Sequence, residues 1–366
     1  MPDEPSRQRT RPSWLLPTPT RSDERAAGPP LREFTLRLMR GENLRREEAA
    51  SLLDALLDGG ATDAQIGAAL VALAVKGETV EELAGLASAM RRRAVRIRPR
   101  HERFIDTAGT GSSTAKTFNV STAAAFVIAG AGLPVAKHGS RAATSRSGSA
   151  DVLGALGVEV TAKPEVSENC LNELGVCFMF APLYHGATAR VAGVRRELGV
   201  HTTFNLLGPL TNPAGAPRQV IGVWHEALVG PLAHTLLALG SERAWVVHGL
   251  DGLDEVTLDG RTMVAEVSDG SVRVFEVGPE DFGLEPSTLE GLRGGDAVTN
   301  ARIVRSVLSG ERRDAARALV VANAAAALFV GGLADELRAA ARLAEQSIDT
   351  GAALEKLEGL ARASKG

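Results

Sequence analysis

Between Leu31 and about Arg98, apolar residues recur three and four positions apart: Ala49, Leu52, Leu53, Leu56 and Leu57, then Ile66, Ala69, Leu70, Leu73 and Ala74, then Leu83, Leu86, Ala87 and Met90. That spacing puts each group on one side of an α-helix, so the segment predicts a small bundle of helices. Gly59-Gly60 and Gly77 interrupt the pattern, and Thr79 stands three residues before Glu82, the spacing of a capping box. From Phe104 onwards the pattern changes. Phe104-Ile105-Asp106, Val158-Glu159-Val160 and Trp245 to His248 read as strands. Between them lie helical stretches: an alanine-rich run opened by Asn119-Val120-Ser121-Thr122, then Glu165 to Leu174, Ala187 to Leu198 and Leu228 to Leu239. Such alternation predicts a parallel sheet with crossover helices. The last third, over Asn300 to Leu308, Ala315 to Phe329 and Leu333 to Leu360, is helical again, and no repeat of solenoid period is visible. The expected fold is α/β: a small N-terminal helical lobe over 31–100, joined by helices from about 164–200, and a larger α/β lobe over 101–163 and 201–366 with a mostly parallel central sheet. Residues 1–30 fall outside this pattern.

The chemistry is expected between Asp106 and Asp151. Two Gly/Ser/Thr-rich loops, 109–117 and 137–149, bracket the apolar segment Val120 to Val135. Glycines let backbone approach a ligand, and amides at the start of the helix that follows point at negative charge. Hydroxyls of Ser112, Ser113, Thr117, Ser121 and Thr122 add neutral donors. Lys116-Thr117 imitates the end of a nucleotide-binding P-loop, but Thr110 and Ala115 stand where that pattern needs glycine. The second loop carries Lys137, His138, Arg141 and Arg146 among small polar residues. A cation 4 Å from a phosphate gains about 4 kcal/mol at an effective dielectric near 20. Lys137, directly after apolar Pro134-Val135-Ala136, is the expected contact, whereas Arg141 and Arg146 also fit a solvated surface.

Composition narrows the alternatives. The 366 residues can bury a core in two lobes, and with 44% apolar but only 4% aromatic residues, alanine, leucine and valine must pack it. A net charge of −3 and a pI near 6.2 argue against a nucleic-acid surface as the main business. Arg91-Arg92-Arg93 with Arg96 and Arg98 reads as a solvated helix end. Cys170 and Cys177, seven apart, have neither zinc nor disulfide spacing and fit packed thiols in a reducing cytoplasm. The apolar run Val120 to Ala136 contains Gly130, Gly132 and Pro134 and reads as a buried helix and strand, not a membrane span. The first thirty residues mix arginines with Asp3, Glu4, Asp23 and Glu24 and have no apolar signal core, which suggests a disordered leader.

The two loops, with Phe118-Asn119-Val120-Ser121-Thr122 and Lys137-His138-Gly139, resemble the signature of the anthranilate phosphoribosyltransferases of tryptophan biosynthesis. Phe180-Ala181-Pro182, Val194 to Gly199, Phe204 to Pro213 and Asp251-Gly252-Leu253-Asp254-Glu255 extend it in order from about Leu31 to the end. The resemblance implies transfer of the phosphoribosyl group of phosphoribosyl diphosphate to the amino group of anthranilate, with Mg2+, by a cytoplasmic homodimer paired through its helical lobe. It implies a sugar diphosphate held by Gly109, Ser112, Ser113, Thr117, Asn119, Val120, Ser121, Thr122, Lys137, His138, Gly139, Ser140, Arg141, Ala142, Ala143, Thr144, Ser145 and Ser149. Anthranilate would meet Gly109, His138, Ser140, Arg195 and Pro209, and the metal Ser121, Asp254 and Glu255.

Taken alone, Arg195 reads as a surface charge and Asp254-Glu255 as a polar turn; the family positions give them roles. An arginine fork suits a carboxylate, and magnesium takes one or two carboxylates plus phosphate oxygens. No covalent nucleophile is needed, Lys137 would support the transition state, and His138 and His185 are the candidates for handling the amine proton. Four positions depart from the family pattern: Ser112 and Ser113 replace a glycine and an aspartate, Ser140 an asparagine, and His201 a common arginine. A pyrimidine nucleoside phosphorylase of the same fold would not need the Asp254-Glu255 pair, and a non-catalytic nucleic-acid-binding relative would need a basic surface.

Overall fold

The computed structural model describes residues 31–111, 115, 117–142 and 147–366. The N-terminal helices are α1 (Leu31–Met39), α2 (Arg46–Leu57), α3 (Asp63–Lys76) and α4 (Val80–Arg93), with α2 packed on α4 and α1 on α3. Of the apolar positions read from the periodicity, all are buried between them but Ala74, which is exposed on α3. The capping box at Thr79 forms as its spacing predicts: Glu82 N donates to Thr79 Oγ1 and Thr79 N to Glu82 Oε2. Glu82 is also fully buried, accepting from Leu44 N at 2.9 Å and Lys76 Nζ at 2.8 Å, so the cap doubles as a polar pin inside the bundle.

Seven strands form one sheet in the order β3 (Val176–Phe180), β2 (Val135–Gly139), β1 (Ile105–Gly109), β4 (Arg218–Gly222), β5 (Arg243–Gly249), β6 (Thr262–Ser268) and β7 (Ser271–Val277). The first five are parallel and the last two antiparallel. The helices of this part are α5 (Val120–Gly130), α6 (Ser149–Ala155), α7 (Pro164–Leu174), α8 (Ala181–Tyr184), α9 (Ala189–Leu198), α10 (Thr203–Leu210), α11 (Val229–Ala238), α12 (Ala297–Leu308), α13 (Ala315–Val330), α14 (Leu337–Asp349) and α15 (Ala352–Ala363).

Strand alternation splits the apolar side chains between two cores. Val220, Trp245, Val247 and Val264 join α5, α12, α13, α14 and α15 on one face. Ile221, Val246, Ala265 and Val267 face the other way and merge with α11 and the N-terminal helices. The helical lobe is therefore continuous with one face of the sheet. On the opposite face, α5 is apolar nearly all round and lies among α12, α13, α14 and α15. That is where a helix without a polar side belongs.

Four expectations are corrected. Val158 to Val160 is not a strand, because Val158 N donates to Leu153 O and Glu159 N to Ser364 Oγ instead of to a sheet neighbour. Leu333 to Leu360 is two helices, α14 and α15, broken at Gly351, whose φ of 82° suits glycine. Of the helices between 164 and 200, α9 packs on α3 and α2, but α7 lies on β3 and α15. The basic helix end is not simply solvated: Arg91 Nε donates to Leu210 O at 2.7 Å, and Arg93 pairs with Asp54 and Asp58. Cys170 and Cys177 are buried free thiols, as expected.

Candidate active site

Ligands of open α/β sheets sit beyond the carboxyl ends of the strands, where neighbouring connections leave in opposite directions. Here that point lies between β1 and β4, since the chain goes from β1 to β2 and β3 on one side and returns to β4 and β5 on the other. Gly109 ends β1 and pairs with Gly222, which ends β4; Gly139 ends the neighbouring β2. Both polar loops thus leave adjacent strands at the switch point. The first returns as α5, whose N-terminal end faces that point, with Ser121 N already donating to Glu255 and Thr122 N to Asn119 O.

Asp254 and Glu255 overhang the same edge. A Cβ on Gly222 would come within 1.7 Å of Asp254 O, and one on Gly109 within 3.3 Å of Asp254 Oδ2. Only glycine at 222 lets the acidic segment lie this low. Glu255 Oε1 accepts from Ser121 N at 3.2 Å, so the carboxylate sits on the first turn of α5. The segment is pinned on both sides. Asp251 accepts from Leu253 N and from the Thr257 hydroxyl, and Asn323 of α13 exchanges two 2.9 Å bonds with the Val256 backbone. Sequence reasoning missed Asn323, whose one visible signal is an amide within the alanine-rich helical run.

Lys137 is buried on β2. Its Nζ donates to Thr107 O at 2.5 Å and lies 3.4 Å from Ser121 Oγ. Burial lowers its pKa, while Asp106 and Glu255 nearby oppose the shift. Burial first, and then Asp254, push Glu255 up to about 8. Asp106, fully buried beneath them and bonded to His138 N at 3.2 Å, is likewise raised by burial, to about 6. The cluster holds more acidic groups than its one lysine balances. Its donors are hard oxygens, and among the described residues no group of three or more His, Cys, Asp or Glu would hold a metal alone. As hard oxygen donors, Asp254 and Glu255 would suit a hard divalent cation if water and substrate oxygens completed its shell.

The expected contacts of the sugar diphosphate are not all free to reach it. Asn119 Oδ1 accepts from Asn300 Nδ2 at 2.9 Å and its amide lies 3.5 Å from Ser147 O, tying the start of α5 to α12. Thr117 Oγ1 is 3.2 Å from Phe118 O. Val120 is core, and Thr122 is buried with its hydroxyl unpartnered among the described residues. Gly139 is closely packed, since a Cβ there would meet Ser149 Oγ at 2.3 Å and Phe178 at 2.9 Å. Ser140 is exposed, and its carbonyl accepts from Ala150 N and Ser149 Oγ. Asp151 closes the second loop by accepting from Ala142 N and Gly148 N and pairing with Arg141, which leans over the Phe180 ring. Ser112, Ser113, Ala143, Thr144 and Ser145 lie outside the described residues, as do Lys116, Arg146 and the leader 1–30.

The expected acceptor residues come from α9, α10 and the ends of β1 and β2. His138 and His185 are buried edge to face, 5.1 Å between ring centres. Burial first, and then His185, hold His138 down at about 3, against the opposing influence of the Gly208 backbone. Burial holds His185 at about 4. Both rings are thus neutral near pH 7. His138 Nε2 and both nitrogens of His185 have no hydrogen-bond partner among the described residues. Pro209, buried next to Gly208, offers its carbonyl to Gln219 Nε2. Arg195 is half-buried, its guanidinium 5.2 Å from the centre of the Phe204 ring and 3.5 Å from Asn205 Oδ1. On the same helix Arg190 is paired with Asp63.

Known proteins resemble this chain in sequence and in fold. Residues 32–94 match the helical bundle domain of a glycosyl transferase family and residues 101–354 its a/b domain. The chain is 52% identical over 335 residues to the anthranilate phosphoribosyltransferase of Rubrobacter xylanophilus, covering 92% of this chain and 98% of that one. It superposes with a TM-score of 0.86 on the crystal structure of the Thermus thermophilus anthranilate phosphoribosyltransferase, at 40% identity over 91% of this chain and 99% of that one. The Saccharomyces cerevisiae enzyme in complex with PRPP and Mg gives 0.84 at 28% identity, over 92% and 98%. No helix among the described residues is long and apolar enough to cross a membrane. By sequence over nearly its whole length and by fold, the chain belongs to the anthranilate phosphoribosyltransferase family.

Proposed function

We infer that this chain joins the ribose carbon of phosphoribosyl diphosphate to the amino group of anthranilate, giving N-(5-phosphoribosyl)anthranilate and diphosphate, in tryptophan biosynthesis. The observation that carries this reading is the meeting of three features at the β1/β4 switch point: the opening turn of α5, buried Lys137, and the Asp254-Glu255 pair. As the bond to diphosphate loosens, negative charge gathers on the leaving group. The positive end of the α5 dipole, the Ser121 hydroxyl and Lys137 stabilise that charge from fixed positions. Magnesium, held by Asp254 and Glu255 with Ser121 close by, would supply a Lewis acid for the diphosphate oxygens.

Arg195 takes the anthranilate carboxylate and so aims the amine at the ribose carbon. His138, held neutral with a pKa of about 3, is the family signature's neighbour of that amine and is too weak a base to store its proton. The remaining assignments stand as readings of the family signature: Gly109, Ser112, Ser113, Thr117, Asn119 to Thr122 and Lys137 to Ser145 with Ser149 around the sugar diphosphate, and Gly109, His138, Ser140 and Pro209 around anthranilate. We also read the chain as a cytoplasmic homodimer joined by its helical lobe, with Met39 of α1 and Val75 of α3 exposed there in support.

The test is the loss of anthranilate fluorescence on mixing. Decay should require anthranilate, phosphoribosyl diphosphate and magnesium together. No decay under those conditions, with thymidine or uridine phosphorolysed instead, would replace this reading by a nucleoside phosphorylase of the same fold.

A further inference from the structure

Arg195 sits in an unusual setting for a half-buried cation. Burial alone acts on its pKa, so among the described residues no carboxylate lies close enough to compensate it. Its Nε has no hydrogen-bond partner there, and its Nη2 has one, Asn205 Oδ1 at 3.5 Å. Its guanidinium carbon lies over the Phe204 ring, 5.2 Å from the centre. Both neighbours come from the first turn of α10, and Asn205 is itself fixed: the same Oδ1 accepts from Thr202 N at 3.1 Å, the side-chain half of a capping arrangement. The helix start therefore holds the oxygen that Arg195 meets. Glutamate or glutamine is the common choice at this capping position, and an acid there would have paired with the guanidinium. Arg190, five residues earlier, shows the other outcome, an arginine paired with Asp63.

We propose that Asn205 is a specificity-determining positioning residue: its neutral oxygen orients the Arg195 guanidinium without neutralising it, so that the cation stays available to an aromatic amine bearing a carboxylate. The proposal rests on the reading of Arg195 as the carboxylate contact. An acid of the same shape at 205 keeps the bond to Thr202 N and sits favourably at a helix N-terminus, so the fold is retained. What changes is the charge beside Arg195.

The experiment compares N205D with the unaltered protein and with R195A, measuring KM for anthranilate, KM for phosphoribosyl diphosphate, and Tm. For N205D we expect Tm unchanged or raised, KM for the sugar diphosphate within about twofold, and KM for anthranilate raised at least about tenfold, the size of effect that loss of a charged contact produces. N205E against N205Q repeats the comparison one methylene longer, and only the acid should lose anthranilate; this pair decides the matter if N205D does not fold. If R195A raises the anthranilate KM and the acids at 205 do not, the role of Asn205 is refuted while the Arg195 reading stands. If R195A itself leaves that KM unchanged, the Arg195 reading fails and the proposal falls with it.

Discussion

Lys137, buried, and Glu255, half-buried, are two groups whose charges depend on each other and on what binds between them. Replacing Lys137 by Gln removes a preorganised cation from the leaving group, and loss of one such donor typically lowers kcat by about 10² to 10³. Single-turnover kinetics at saturating substrates would read this; a change confined to KM would show that Lys137 only binds. Glu255 gives a pH signature. Its folded pKa is raised, to about 8 against an ordinary 4.5, so the stability tied to its neutral form is complete below about 4.5 and is lost as pH rises towards 8. Magnesium needs the ionised form. The magnesium concentration for half-maximal rate should therefore fall as pH rises from about 6 to 8, and Glu255→Gln should flatten that slope. An equally steep slope in the variant would remove Glu255 from the metal site.

At the level of elements, the acidic segment is placed by what it rests on. Gly222→Ala puts a methyl group into the Asp254 carbonyl, a backbone clash that no rotamer relieves, and overpacking of this kind costs about 1 to 3 kcal/mol. Asn323→Ala leaves a buried N–H and C=O of Val256 without their partner, at about 1 to 3 kcal/mol for each unsatisfied group. Both variants should lower Tm and demand more magnesium, though neither removes a metal-facing oxygen. A Tm loss with an unshifted metal titration would separate the segment's packing from its function. These supports also show where sequence reading stops. Lys137 and the start of α5 were legible because loop composition and helix onset are local signals. Asn323 and Gly222 were not, since their importance comes from a contact across the chain. The β6–β7 hairpin was missed too, although Asp269-Gly270, both with positive φ, is a local turn signal between its strands. Val158 to Val160 failed the opposite way: strand composition was present, but its backbone bonds were taken by α6 and Ser364.

For the whole molecule, the two cores meet across the sheet, and α10, α11 and the Arg91–Leu210 contact join the helical lobe to it. Ligand bound at the switch point should therefore stabilise the chain as one unit. Phosphoribosyl diphosphate at about 100 times its Kd contributes about 2.7 kcal/mol, so Tm should rise when magnesium accompanies it and much less without. Sedimentation should give twice the chain mass of 38.2 kDa if the helical lobe pairs two copies. The two-lobe plan was readable from hydrophobic period alone, whereas the side of the sheet each helix covers followed only from strand order. The most direct measurement is a crystal structure of the protein soaked with phosphoribosyl diphosphate and magnesium. Diphosphate density is expected against the first turn of α5 and Lys137, with the ion between it and Asp254 and Glu255. Density for the sugar and ion away from the carboxyl ends of β1 and β4 would contradict that placement.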